Sequence, residues 1–277
     1  MTSNLKQGQC SSVGLFGNLK VERDLSLFPG DFKKAFSVAK ELKFDGIEIS
    51  LADPEEISLS ELKDLVDNYQ IGISAVATGG VAVRDGLIFS SPEKSIRKAA
   101  VQRIKRHIEF ASLFNAVVVI GLVKGWVNNS YSQSEELITE CLKECNEYLI
   151  EKGVNIALEP INRFQEDFFH SILDCKAYLD KIQLSNVKMM IDSFHMNIED
   201  SDMWENIRKA RDYIIHVHYS DSNRLAPGMG HFDFMKMTQV LKEIGYHGYL
   251  SAEILPLPDA YTAAKQTIDS MKFYLNQ

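Results

Sequence analysis

The sequence predicts one (β/α)8 barrel, an α/β fold, spanning residues 1–277, and three observations carry that reading. Short apolar runs rich in Val and Ile alternate with longer amphipathic segments along the whole chain. Most of the runs are continuous rather than alternating, which is the pattern of parallel strands covered on both faces. The third observation is length: 277 residues suit a barrel of this kind, which typically takes about 250. Strands alternating with helices argue for βαβ units and a parallel sheet.

The first apolar run, residues 13–16, precedes a helix over 31–42, where Phe32, Ala35, Phe36, Ala39 and Leu42 fall at helical spacing. Gly46–Ser50 precedes a helix over 58–69 that opens on a candidate capping box, Ser58 with Glu61. Gly72–Ala77 leads to the longest helix, 92–114, with Pro92 at its start. The run 116–122 precedes a helix over 134–151, and 155–158 precedes one over 171–182. The run 187–191 precedes 203–212, Ile214–His218 precedes 233–244, and 249–254 precedes 260–275. No linker or low-complexity tract marks a second domain. Two connections are longer than closure needs, 78–91 and 220–231, and both follow strand C-termini, where barrel enzymes carry function.

Composition narrows the function classes. Hydrophobic residues at 45% and charged residues at 25% are the balance of a soluble globular enzyme. A net charge of −8 argues against a nucleic-acid partner, which calls for a basic face. Cys10, Cys141, Cys145 and Cys175 are scattered and read as reduced small hydrophobes. Residues 1–8 are polar and the longest apolar run, 116–123, is too short to span a bilayer. The expectation is a cytoplasmic protein with no membrane partner.

The chemistry lies at the ends of the last four strands. The fifth ends on Glu159, the sixth on Asp192, the seventh on His218 and the eighth on Glu253. Each places a metal-ligand type directly after an apolar run, about one βα unit apart. Burying one bare carboxylate is costly, and three converging on one barrel mouth repel. A divalent cation removes the conflict. Three carboxylates and an imidazole suit Mn²⁺, Mg²⁺ or Co²⁺, with Zn²⁺ as an alternative.

These residues carry a resemblance. The stretches Glu159-Pro-Ile-Asn-Arg163, Asp192-Ser-Phe-His195, His218 through Arg224, Pro227-Gly-Met-Gly230 and Glu253 resemble the xylose isomerase-like barrel superfamily, in its ketose 3-epimerase and sugar-phosphate isomerase/epimerase branch. The resemblance implies that Glu159, Asp192, His218 and Glu253 hold the metal. It implies that Glu159 and Glu253 also shuttle protons at the carbon beside the carbonyl, through a metal-stabilised enediolate. His195 and Arg224 match positions that contact the substrate near its carbonyl. Family epimerases often carry a second glutamate six residues after the first; here that position is Gln165. An amide can bond a sugar hydroxyl but cannot act as a base. A glutamate there would repel an anionic group, so Gln165 raises the expectation of a substrate that is anionic or lacks the hydroxyl a glutamate would receive.

The function expected is therefore divalent-metal-dependent isomerisation or epimerisation of a ketose or ketose phosphate, with pairing of copies left open. A lyase of the inosose dehydratase type would use the same site. An endonuclease of this fold would need more histidines than strands three and four supply, and a non-catalytic sugar-binding barrel would not need both glutamates. Other residues have two readings each. His216, two before His218, faces the lumen as packed core or supports His218. His231 is a substrate contact or solvated. Asp233 caps the helix beginning at Phe234. Glu48 reaches the site or anchors neighbouring loops. Lys124 and Trp126 bind an anionic or ring-like substrate, or the lysine is solvated.

Overall fold

The computed structural model describes residues 6–10, as backbone, and residues 25–277. Its strands are β1 (Lys6–Cys10), β2 (Gly46–Ser50), β3 (Gly72–Ala77), β4 (Val117–Ile120), β5 (Ile156–Leu158), β6 (Val187–Asp192), β7 (Ile214–His218) and β8 (Tyr249–Ser251). They pair in parallel in sequence order, and β8 closes onto β1. The helices are α1 (Phe32–Leu42), α2 (Leu59–Tyr69), α3 (Gly79–Val83), α4 (Lys94–Ser112), α5 (Tyr131–Lys152), α6 (Ile172–Ile182), α7 (Ser193–Glu199), α8 (Met203–Ala210), α9 (Phe234–Glu243) and α10 (Ala260–Leu275). Among the described residues none is long and apolar enough to cross a membrane.

The barrel agrees with the sequence reading, and the differences are local. The strand expected at 13–16 lies outside the described residues; β1 instead uses Lys6–Cys10, a polar stretch that no apolar pattern marks. The connection expected as a loop at 78–91 contains α3, and Asp192 is followed at once by α7. Helix starts reflect local hydrogen bonding. Asp31, Ser58 and Asp233 each accept from a backbone N–H of the first turn, which satisfies donors that have no partner inside the helix. A reciprocal capping box forms at Ser171 and Asp174, at the start of α6.

Strand alternation sorts the interior into two cores. Ile47, Ile49, Val76, Val118, Ile120, Ile156, Leu158, Met189, Ile191, Val217 and Leu250 point outward beneath the helices and form the large apolar layer. Ala75, Ala77, Val119, Ala157 and Met190 form a separate cluster, as expected for the lumen. The lumen cluster is small because polar residues share that space: Glu48, His216 and Ser251 are buried there as well. Two irregularities interrupt the sheet beside them. Pairing of β2 with β3 shifts between Ile47 and Glu48, and pairing of β6 with β7 shifts between Met189 and Met190. The second shift leaves Ile215 as the extra residue, and it packs on the lumen cluster. Such bulges re-aim the side chains beyond them.

The long connection between β7 and α9 is organised by Asp221. Its buried carboxylate accepts from the N–H groups of Ser222 (2.7 Å), Phe232 (3.1 Å) and Gly228 (2.8 Å). Exchanging Asp221 for Ala removes the shared acceptor of three backbone donors, a loss of about 1–3 kcal/mol. The expected result is faster proteolytic cleavage of the β7–α9 connection, read by limited digestion and mass spectrometry. Cleavage unchanged from the wild type would contradict this account.

Candidate active site at the C-terminal mouth of the barrel

The inward-facing residue at or just beyond the end of each of the last four strands carries a charge or an imidazole. Glu159 follows β5, Asp192 ends β6, His218 ends β7 and Glu253 lies two residues beyond β8. Their ligand atoms all lie within 4.8 Å of one another. His218 Nδ1 stands 3.3 Å from Asp192 Oδ2, 3.5 Å from Glu253 Oε2 and 3.8 Å from Glu159 Oε1. Donors about 2.1 Å from one ion stand about 3 Å apart at right angles, so a small inward contraction completes a four-donor set.

The electrostatics of the cluster also fit a cation. Burial, followed by the neighbouring Glu253, pushes the Glu159 carboxyl up to about 8. Burial acts the same way on Asp192, but the Arg224 guanidinium and His195 overcome it and hold that carboxyl well below its usual range. Glu253 is lowered as well, with Arg224 and His218 outweighing burial. Protein cations therefore offset only part of the negative charge, and a divalent ion would offset the remainder.

The expected substrate contacts lie at the same mouth. Arg224 donates from Nη1 to Asp192 Oδ2 (2.6 Å) and from Nη2 to Glu253. Its backbone sits in the left-handed region at φ 64°, an uncommon state for a long side chain that tends to mark functional positions. The strain is held by backbone bonds from Arg224 N to Asp221 O and from Leu255 N to Arg224 O, both 2.8 Å. The His195 Nε2 atom is 3.8 Å from Glu159 Oε1 and 3.9 Å from Asp192 Oδ2. Burial is the main influence on the His195 ring and pushes it down to about 4. His195, Arg224, Gln165, Glu159, His218 and Glu253 all line one cavity of about 190 Å³. Its other wall is largely apolar, with Leu25, Ala77, Val83, Val119, Leu122 and Ile161.

Residues left with two readings resolve here. Glu48 reaches the site from the layer below: its buried carboxylate accepts from His216 Nε2 (2.8 Å) and His218 Nε2 (3.0 Å). Since a carboxylate only accepts, Nε2 of His218 carries a hydrogen, and Nδ1 is the nitrogen that faces the cluster. His216 is thus core and support at once. His231 bonds Ser222 Oγ (2.9 Å), and Asp233 caps α9. Neither reading of Lys124 survives. Lys124 is fully buried, and its ammonium donates to the Glu159 carbonyl (2.5 Å) and faces Glu166 (3.3 Å). It braces the backbone that carries Glu159. Trp126, two residues on, is 42% exposed.

Gly121 is a residue the sequence reading passed over. A Cβ there would meet Glu159 Oε2 at 2.5 Å and Ile161 Cδ1 at 3.0 Å. The missing side chain is what gives the Glu159 carboxylate its place. The signal in the sequence was a glycine one step past an apolar strand, at an inward position.

The comparisons with known proteins agree with this geometry. The family model for the xylose isomerase-like TIM barrel matches residues 36–275. The chain belongs to that family. An L-ribulose 3-epimerase from Methylomonas sp. (strain DH-1) is 29% identical over 230 residues, covering 80% of this chain and 77% of the relative. The 3-dehydro-D-guloside 4-epimerase of Escherichia coli (strain K12) is 26% identical over 244 residues, 82% and 88% of the two chains. The solved structure of a D-allulose 3-epimerase from Methylomonas sp. in complex with D-allulose superposes with a TM-score of 0.83 at 21% identity, covering 98% of each chain. With such relatives and this fold, the chain is an enzyme of the isomerase and epimerase kind.

The Gly121→Ala variant tests the cradle. It is expected to fold, because the clash falls mainly on the end of a flexible side chain. It should lose turnover on the order of 10²-fold, the cost of misplacing a reacting group by about 1 Å. A variant as active as the wild type would show that the Glu159 carboxylate does not depend on that space.

Proposed function

We propose that this barrel is a divalent-metal-dependent epimerase of a free ketose, acting at the carbon beside the carbonyl through Glu159 and Glu253. One observation carries the reading. Two glutamates flank Asp192 and His218 in the strand order, and both open into the cavity that His195, Arg224 and Gln165 line. The ion would be held by Glu159, Asp192, His218 and Glu253, whose mostly oxygen set suits Mn²⁺, Mg²⁺ or Co²⁺. When bound, it supplies electrophilic polarisation of the substrate carbonyl and its neighbouring hydroxyl.

The protein groups do the rest. One glutamate removes the proton from the carbon beside the carbonyl, and the bonding pair moves into the carbonyl to give an enediolate. The other returns a proton to the opposite face, so the centre is inverted. Arg224 and His195 place donors beside the developing oxygen charge. The apolar wall of Val119, Leu122 and Ile161 keeps water from the reacting carbon. That wall also bears on the substrate. Among the described lining residues Arg224 is the cation, and Asp192 and Glu253 already engage it. A neutral sugar fits this lining better than the anionic substrate that Gln165 suggested. Gln165 then offers its amide to a hydroxyl, as donor or acceptor.

The test is a panel of ketoses, ketose phosphates and an inosose, assayed in deuterated water with Mn²⁺ restored after chelation. A free ketose should exchange configuration and take up deuterium at the carbon beside the carbonyl. Glu159→Gln and Glu253→Gln should each lower kcat by about 10²–10⁴-fold. Turnover without solvent deuterium would replace proton transfer with a hydride shift, and dehydration of the inosose alone would make the enzyme a lyase. Glu48→Gln has a separate readout, metal affinity by titration calorimetry. An amide cannot accept from both histidines at once, so affinity should fall about 10–100-fold.

A further inference from the structure

The hydrogen-bond pattern around His195 fixes which ring nitrogen carries its hydrogen, and Asn162 does the fixing. Asn162 lies three residues after Glu159 and is buried. Its side-chain Nδ2 is 2.7 Å from His195 Nδ1. The amide cannot be turned round without loss, because its Oδ1 accepts the backbone N–H of Phe164 at 3.1 Å. The backbone N–H of Asn162 points at the same ring nitrogen, at 3.5 Å. Two donors thus face Nδ1. A hydrogen on Nδ1 would oppose both, so Nδ1 is the bare nitrogen and Nε2 carries the hydrogen. The same two donors exclude the doubly protonated ring.

The direction of Nε2 gives this a consequence. It faces the cavity, 3.8 Å from Glu159 Oε1 and 3.9 Å from Asp192 Oδ2. Both distances are too long for a hydrogen bond, so the Nε2–H is left for an oxygen seated between it and the carboxylates. We infer that Asn162 is a positioning residue that sets His195 as a neutral Nε2–H donor to the substrate oxygen undergoing enolisation. The inference rests on the proposed epimerase reading for the identity of that oxygen, while the tautomer stands on geometry alone.

The surrounding contacts hold both partners in place. His195 sits on α7, and so does Glu199, which takes a bidentate bond from the Arg163 guanidinium and a third from the Arg163 backbone N–H at 2.7 Å. Gln165 N donates to Asn162 O at 3.0 Å and closes the turn. Asn162 and His195 are therefore tied by a second bridge, one residue from Asn162 and one helical turn from His195.

The experiment exchanges Asn162 for Asp, a near-isosteric side chain that accepts where the amide donates. Long-range ¹H–¹⁵N correlation spectra of the full-length, metal-free protein, with His195 assigned by its loss in His195→Gln, report the ring hydrogen directly. The wild type should show it on Nε2, and Asn162→Asp should show a hydrogen on Nδ1. A wild-type hydrogen on Nδ1 would overturn the inference whatever the enzyme's substrate proves to be. Activity supplies the second arm, at a pH where the variant ring carries one hydrogen. Asn162→Asp should lower kcat on the order of 10²-fold or more, as expected when a catalytic imidazole is held in the wrong tautomer. A glutamine has no tautomer to set, so the same exchange in a His195→Gln background should cost about 3-fold or less. An equal loss in both backgrounds would assign Asn162 a merely structural role.

Discussion

Everything at the mouth of this barrel answers one constraint: three carboxylates and an imidazole, all buried but the half-buried Glu253, offer ligand atoms within 4.8 Å of one another. Such an arrangement is unstable by itself, because like charges repel and burial raises the cost of each. The surroundings meet the cost from several directions. Arg224 reaches in from the β7–α9 connection to bond Asp192 and Glu253. Glu48 accepts from the far side of His218. Lys124 holds the backbone carbonyl of Glu159 rather than its carboxylate. That choice braces the glutamate in position and leaves its carboxyl free of the lysine charge. The lumen below is given over to Ala75, Ala77 and Ala157, whose small side chains leave room for a polar layer that a barrel packed with branched residues would fill.

The irregularities of the sheet belong to the same problem. Glu48 and His216 come from β2 and β7, which are separated around the barrel by β8 and β1, yet their side chains meet at 2.8 Å. The register shifts lie at Glu48 on β2 and, on the partner strand β6, next to the residue paired with His216. The first adds Ser74 on β3, opposite regularly alternating Ile47 and Glu48. The second adds Ile215 on β7 and turns His216 and the residues beyond it to the interior, where they meet Glu48. Without the extra residue at Ile215, strict alternation would put one of Ile215 and His216 outside the lumen.

Much of this was legible in the sequence. Parallel strands buried on both faces leave continuous apolar runs, and a carboxylate or histidine directly after such a run is conspicuous because hydration is poor there. That is why Glu159, Asp192, His218 and Glu253 could be read off before their geometry was seen. Strand β1 was not legible, since Lys6–Cys10 pairs through its backbone and carries no apolar signature. Lys124 was misread for a related reason. A lysine after a strand is usually solvated, and only the fold brings Glu166, forty-two positions on, against its ammonium. Gly121 and Asn162 were missed because their contribution is not chemical reactivity. One acts through the space it leaves empty, the other through the direction of a hydrogen bond, and neither property is visible in a residue type taken singly.

The two histidines at the mouth show how far such directions matter. They are the same side chain, both buried, both close to Asp192, yet the structure gives them opposite polarity toward the centre. His218 meets an acceptor, Glu48, at Nε2, so that nitrogen carries a hydrogen and Nδ1 is the nitrogen turned toward the carboxylates. His195 meets donors from Asn162 at Nδ1, so its lone pair is drawn outward and an N–H at Nε2 faces the same carboxylates. One ring thereby offers a nitrogen that could take a cation, and the other an N–H that could meet an oxygen. The difference is set by partners that do not line the cavity, a glutamate in one case and an asparagine in the other. The polarity of this mouth is therefore set as much by Glu48 and Asn162 as by the residues that line the cavity.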